Sequence, residues 1–221
     1  MQAQQRQFVT DASHELRTPL AGLRLRLEEA RMYPGQIDLC ELIHHTLREV
    51  DRIQDIVSDL LTLARLDAGV GDAPVFIDMA GFIVDEVGKR TDGLPIHLNL
   101  EQGLIVGGTI GGLARLLGNL LDNAQRHGRT AVWVTVSGEK GEVVVTVDDD
   151  GPGIPAEERD RVFDHFSRTD SARGRELGGA GLGLAIAQGI ARAHHGTLTA
   201  RASDRGGAQL MLRLPCLNSA G

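Results

Sequence analysis

Gly118-Asn119-Leu120-Leu121-Asp122-Asn123-Ala124-Gln125-Arg126-His127 is the stretch from which the rest of the chain is best read. Its apolar residues continue a helical spacing begun at Ile110, so residues 110–127 read as one strong helix. Asn119, Asn123, Arg126 and His127 fall on roughly one face of it. A carboxamide oxygen is a suitable neutral ligand for Mg2+ held mainly by phosphate oxygens and water. A guanidinium pairs with phosphate, and an imidazole can stack on a base. Two asparagines in isolation would be polar residues on an exposed helix face. The segments downstream argue otherwise.

Asp149-Asp150-Gly151-Pro152-Gly153 follows an apolar strand. A carboxylate at that strand end can accept a hydrogen bond from an adenine amino group, while glycines let the chain bend tightly around it. Gly178-Gly179-Ala180-Gly181-Leu182-Gly183-Leu184 then runs into a helix, and backbone amides at such a start cradle phosphate without cationic side chains. Between them lies Arg161-Val162-Phe163-Asp164-His165-Phe166-Ser167-Arg168, followed by a polar stretch to Glu176 with the composition of a lid. Around these segments the pattern predicts strands at 76–78, 96–100, 104–106, 131–137, 142–148, 197–202 and 208–214. Helices are expected at 79–90, 110–127 and 183–195, with a hairpin turn at Gly138-Glu139-Lys140-Gly141. The expectation for this region is an α/β layer sandwich with a mostly antiparallel sheet.

Before residue 68 the grammar differs. Only Gly22 and Gly35 occur there, and apolar residues recur at helical spacing. Phe8, Ala12, Leu16, Pro19, Leu23, Leu27 and Ala30 form one stripe. Ile43, Leu47, Val50, Gln54, Val57, Leu61 and Ala64 form a second, with Leu42, Ile53, Ile56 and Leu60 beside it. Tyr33-Pro34-Gly35 breaks the helix between them. A helical hairpin cannot cover its own stripes, which predicts a dimeric four-helix bundle; the alternative is a hairpin that packs on the rest of this chain. The division expected is 1–68 hairpin, 69–75 linker and 76–216 α/β domain, so the fold class is α+β.

His14 faces away from the first stripe, toward solvent, and Thr18 shares its face one turn on. Glu15 adjoins it. A neutral imidazole whose Nδ1 proton is held by a carboxylate has a more nucleophilic Nε2, as attack on a γ-phosphate requires. A single exposed histidine says little. The whole string Ser13-His14-Glu15-Leu16-Arg17-Thr18-Pro19-Leu20, however, resembles the H-box of sensor histidine kinases of two-component systems almost letter for letter. The later segments, in their order and spacing, resemble the N, G1, F and G2 boxes of the GHKL-type (Bergerat) ATP-binding fold shared with chaperone and gyrase ATPases. The likeness runs from about Phe8 to Pro215.

That resemblance implies ATP and Mg2+ as cofactors. It casts His14 as phosphoacceptor, Glu15 as the acid orienting it, and Thr18 as the residue that positions water during dephosphorylation of a response regulator. It makes Asn123 the principal Mg2+ ligand with Asn119 assisting, brings Arg126 to phosphate, and sets Asp149 against adenine. Gly151, Gly153, Gly179, Gly181, Leu182 and Gly183 complete the nucleotide cradle. His127 stands where family members commonly carry an aromatic ring, often tyrosine, and Gly107-Gly108-Thr109 stands where many carry an aspartate. The implied partners are a second copy, through the hairpin, and a receiver domain.

Composition sets the outer bounds. Hydrophobic residues make up 42%, enough for an ordinary core, and the formal charge of −7 argues against a nucleic-acid binder. Cys40 and Cys216 fit no metal spacing. No run of 18 apolar residues is present, so no direct membrane insertion of this segment is expected. A cytoplasmic location is expected, as the cytoplasmic part of an inner-membrane receptor. Two other functions share some of these features: an ATPase or conformational switch of the chaperone or gyrase kind, which would lack the string around His14, and a phosphatase-only signalling scaffold.

Overall fold

A computed structural model describes residues 2–33, 35, 38–68, 73–167 and 181–217, with the backbone alone at 2–9, 11 and 67. The two long helices form where their spacing predicts, Gln2–Met32 (α1) and Leu39–Asp67 (α2). Asp38 caps α2: its carboxylate accepts from the backbone N–H of Cys40 at 2.8 Å and of Glu41 at 3.3 Å. Donors that a helix start leaves open are thereby satisfied.

On α1, Ala12 and Pro19 are buried and Leu16 and Leu23 half-buried, as the stripe requires. On α2 the inward residues are those flanking the predicted stripe: Ile56 and Leu63 are buried, Ile53 and Leu60 half-buried. The stripe itself points outward, with Ile43, Leu47, Val50, Val57 and Leu61 between 37% and 55% exposed. Spacing finds apolar faces but does not say which one turns inward when a helix has two.

The rest of the chain orders as Val75–Asp78 (β1), Met79–Gly88 (α3), Ile96–Leu100 (β2), Ile105–Gly108 (β3), Ile110–His127 (α4), Val132–Glu139 (β4), Glu142–Asp149 (β5), Gly183–Ala193 (α5), Thr197–Ala202 (β6) and Ala208–Pro215 (β7). Two single 3-10 turns, Ala156–Glu158 and Arg161–Phe163, lie between β5 and α5. Five strands form one sheet in the order β2-β4-β5-β7-β6, in which the β2–β4 pair alone is parallel. Alternation sets its inner face: Val132, Val134 and Val136 of β4 and Leu210, Leu212 and Leu214 of β7 are buried against the leucines of α4 and the small apolar residues of α5. On the outer face His97 stacks on Trp133 at 5.7 Å, and the Arg205 guanidinium sits 4.2 Å from the Trp133 ring centre.

Two details differ from expectation. The β4–β5 turn is tighter than four residues: Lys140 (φ 50°) and Gly141 (φ 84°) alone make it, both left-handed, so Gly138 and Glu139 stay in the strand. A second, two-stranded sheet pairs β1 with β3, Val75 opposite Gly108. It is tied to the main sheet at the far end of the chain, where Cys216 bridges Val106 and the Leu217 N–H donates to the Ile105 carbonyl at 2.8 Å.

Candidate active site

The nucleotide-site candidates gather where α4, the end of β5 and the start of α5 meet. The apolar face of α4 (Leu113, Leu116, Leu117, Leu120, Leu121, Ala124) is buried on the sheet. That leaves Asn119 and Asn123 half-buried on its flank and Arg126 exposed. Gly183, the first residue of α5, lies so close to Asn119 that a Cβ there would be 3.2 Å from the Asn119 Oδ1. The Asn119 Nδ2 is buried without a hydrogen-bond partner among the described residues, an uncompensated polar atom between the two helices. Among the described residues no side chain caps α5, whose N-cap Leu182 is fully buried. A helix start of this kind presents backbone amides suited to an anion.

Asp149 is 2% exposed at the end of β5. Its Oδ1 accepts from the backbone N–H of Gly151 at 2.8 Å and of Ala208 at 3.2 Å, fixing the carboxylate plane. Burial pushes this carboxyl above the ordinary aspartate range; the two amides and the nearby His127 offset part of that rise, and Asp150 adds to it. Gly151 is required by packing: a Cβ would sit 2.2 Å from the His127 carbonyl oxygen. Gly207, which spacing did not single out, is equally confined, with a Cβ 2.2 Å from the Asp149 carbonyl oxygen. Gly153 (φ 74°) and Gly181 (φ 72°) occupy left-handed conformations.

Asp150 turns away and anchors the α4–β4 connection, accepting from the Arg129 N–H at 2.7 Å and from the Thr130 N–H and hydroxyl. These bonds hold its carboxyl well below the usual range. Asp148 accepts from Ser203 at 2.8 Å and Gln209 at 3.0 Å. The three successive aspartates thus do separate work. A Cβ at Gly181 would meet the backbone of Phe166 and Ser167 at 2.9 Å, so Gly181 lies directly against them. Gly179 and the polar stretch 168–176 lie outside the described residues, as do linker residues 69–72.

His14 is exposed on α1 with Glu15 half-buried beside it. The Thr18 hydroxyl donates to the His14 carbonyl at 3.2 Å, which ties it to the same face. The α/β region rests on the C-terminal part of α2. Leu60, Leu63 and Leu66 join its core, and a Cβ at Gly189 of α5 would be 3.1 Å from Leu66. At the edge of that contact the Arg115 Nη2 donates to Asp59 Oδ1 at 2.7 Å and to Ser58 Oγ at 3.3 Å. Neither Arg115 nor Asp59 carries a local signal in sequence, since the pair joins positions 56 residues apart.

Residues 108–218 match the family described as histidine kinase-, DNA gyrase B-, and HSP90-like ATPase, and residues 4–69 match the His Kinase A (phospho-acceptor) domain. The chain belongs to the sensor histidine kinases of two-component systems. It is 39% identical over 217 residues to the probable sensor histidine kinase TcrY of Mycobacterium tuberculosis, covering 95% of this chain and 46% of that one. Among solved structures, the histidine kinase AdeS of Acinetobacter baumannii superposes with a TM-score of 0.74 at 23% identity over 93% of this chain and 98% of that one, a likeness of fold. Full-length ShkA in complex with AMPPNP gives a TM-score of 0.70 at 26% identity over 98% of this chain and 47% of that one. This histidine kinase segment spans about half the length of the curated relatives it matches.

Proposed function

We propose that the segment binds Mg-ATP between α4 and α5, transfers the γ-phosphoryl group to His14, and passes it on to an aspartate of a response-regulator receiver domain. The reading is carried by one observation: an exposed histidine on α1, with an acid beside it, belongs to the same chain as a buried carboxylate whose Oδ1 is pinned by two amides. No hydrogen bond reaches the other oxygen of Asp149 among the described residues. It is suited to an adenine amino donor, and Gly151 and Gly153 give the ring room. Phosphates fall to the amides of Gly181, Leu182 and Gly183, with Gly179 beyond them, and to Arg126; His127 lies against the base.

The donor set fits Mg2+. Asn123 and Asn119 offer neutral amide oxygens, and among the described residues no group of three or more His, Cys, Asp or Glu could hold a metal by itself. The ion would accordingly arrive with the nucleotide and offset phosphate charge. In the transfer step the His14 Nε2 lone pair attacks the γ-phosphorus while the bond to the β–γ bridging oxygen breaks, releasing ADP. Glu15 holds the Nδ1 proton, and in the separate phosphatase reaction Thr18 orients the water that attacks the regulator's aspartyl phosphate, releasing inorganic phosphate.

The same reading assigns residues 1–68 to a dimerising phosphotransfer hairpin, 69–75 to a linker and 76–216 to the nucleotide domain, although the pairing of Val75 with Gly108 favours moving that last boundary back by one residue. The outward stripe on α2 supports a homodimer. Among the described residues no helix is long and apolar enough to cross a membrane. The segment is proposed to work in the cytoplasm as part of an inner-membrane receptor. Incubation with γ-labelled Mg-ATP tests the reading against His14→Gln and Asn123→Ala. Alkali-stable, acid-labile label that vanishes in both variants is expected. Nucleotide binding without label on the wild type would sink it.

A further inference from the structure

Apolar packing holds the nucleotide domain to α2 but does not set its height. Leu60, Leu63 and Leu66 contribute apolar contact, which is non-directional and sets register less sharply than a charged pair does. A charge-assisted hydrogen bond does fix register. Arg115 lies one helical turn before Asn119 and two before Asn123 on α4, so its guanidinium and the proposed Mg2+ ligands move as one rigid body. Its partner Asp59 stands on α2, which packs against the helix bearing His14. With the inter-helix turn centred between Met32 and Leu39, antiparallel pairing sets Asp59 level with Ala12, within roughly 3 Å along the axis of His14.

The acid side offers more than one rung. Asp51, Asp55 and Asp59 follow at i, i+4 along α2, and Arg115 engages the last of them. One rung is about 6 Å of helix, a shift of the size by which packed helices exchange registers. Asp59 is the rung that burial singles out: its side chain is 23% exposed and that of Arg115 32%, whereas Asp51 and Asp55 are exposed. Ser58 adds a second acceptor that the same guanidinium reaches.

We propose that the Asp59–Arg115 pair is a positioning contact for phosphoryl transfer, setting the height at which the nucleotide site rides on α2 and hence the reach from bound ATP to a His14 of the dimer. This rests on the autokinase reading above. Neither residue touches the reacting atoms; each acts through the alignment of Asn119, Asn123 and the nucleotide with the acceptor helix.

The test compares initial autophosphorylation rates at saturating Mg-ATP, and the affinity for a fluorescent ATP analogue, in wild type, Asp59→Ala, Arg115→Ala and the exchanged pair Asp59→Arg with Arg115→Asp. Each single variant is expected to lose about tenfold in rate with analogue affinity within about twofold of wild type, since small misplacements cost that much. The exchanged pair should regain most of the loss, because coupling between contacting residues is what it restores. Single variants at wild-type rate, or faster than it, overturn the proposal, as does an exchanged pair no better than either single. Loss of analogue affinity alongside rate makes the pair merely structural and also overturns it. A wild-type chain that takes no label removes the autokinase reading and the proposal together; a labelled wild type with unchanged variants removes the positioning role alone.

Discussion

The helical hairpin and the nucleotide domain solve burial in different ways. The domain buries most of its core within itself, where Leu120, Leu121, Val132, Val134 and Ile186 are fully buried, and takes only Leu60, Leu63 and Leu66 from α2. The hairpin covers little of itself. Leu20, Leu25 and Leu27 of α1 and Ile43, Leu47 and Leu61 of α2 remain 45% to 65% exposed. An apolar surface of that extent marks an interaction face. The domain covers its apolar residues and the hairpin leaves many of its own open, which is the ground for the dimer proposed above.

Substitutions in the two cores put this contrast under the greatest strain. Leu120→Ala should cost about 2–5 kcal/mol of unfolding free energy in denaturant melts of the nucleotide domain, from lost burial and a residual cavity. Leu61→Ala should change the stability of the dilute monomer by no more than about 0.5 kcal/mol. Equal costs for the two would show that the α2 stripe is core within one chain. Converting the stripe with Leu47→Asp and Leu61→Asp should shift sedimentation from dimer to monomer while leaving affinity for an ATP analogue intact. A dimer that survives both charges would break the comparison.

The nucleotide site sharpens it, because there the domain gives up stability for chemistry. Asp149→Asn should lower ATP affinity by about ten- to a hundredfold, the worth of a hydrogen bond to a charged acceptor, read by calorimetry. Burial raises the Asp149 carboxyl, so the folded state holds this proton more tightly than the unfolded chain. Its contribution to stability is therefore full below the ordinary aspartate pKa and lost as pH rises through the raised value. At neutral pH the Asn variant should melt no lower than wild type while binding worse. ATP affinity of the wild type should in turn fall on acidification at a higher pH than an ordinary aspartate would give.

The smallest effect expected lies at the end of α5. His195 holds a left-handed conformation (φ 57°) just past the helix end, a position that favours glycine. His195→Gly should raise stability by about 0.5–1 kcal/mol in thermal melts, with phosphorylation unchanged.

Much of this architecture was legible because it is local. The helix at 110–127 and the strand expected at 142–148 announce themselves through residue pattern, and the glycines around Asp149 through their spacing. What was hidden depends on distance along the chain. Gly207 closes on Asp149 from a separate turn, and the β1–β3 sheet pairs segments whose brevity leaves almost no pattern. His194 is another such residue: its Nδ1–H donates to the Ile190 carbonyl at 2.8 Å while its Nε2 accepts the Thr109 N–H at 3.0 Å, joining the end of α5 to the start of α4. Which apolar face of α2 turns inward was not legible for a different reason. A helix that is apolar on two sides serves two neighbours, and periodicity treats both alike.

The stitch between β3 and the residues after β7 bears on how the protein is made. Residues 75–108 form the first layer of the nucleotide domain, yet Val106 and Ile105 find their last partners only at Cys216 and Leu217. During synthesis from the N-terminus the hairpin, ending at Asp67, leaves the ribosome well ahead of them. If the hairpins dimerise as proposed, neighbouring nascent chains on one message can pair through them before either has a finished nucleotide domain.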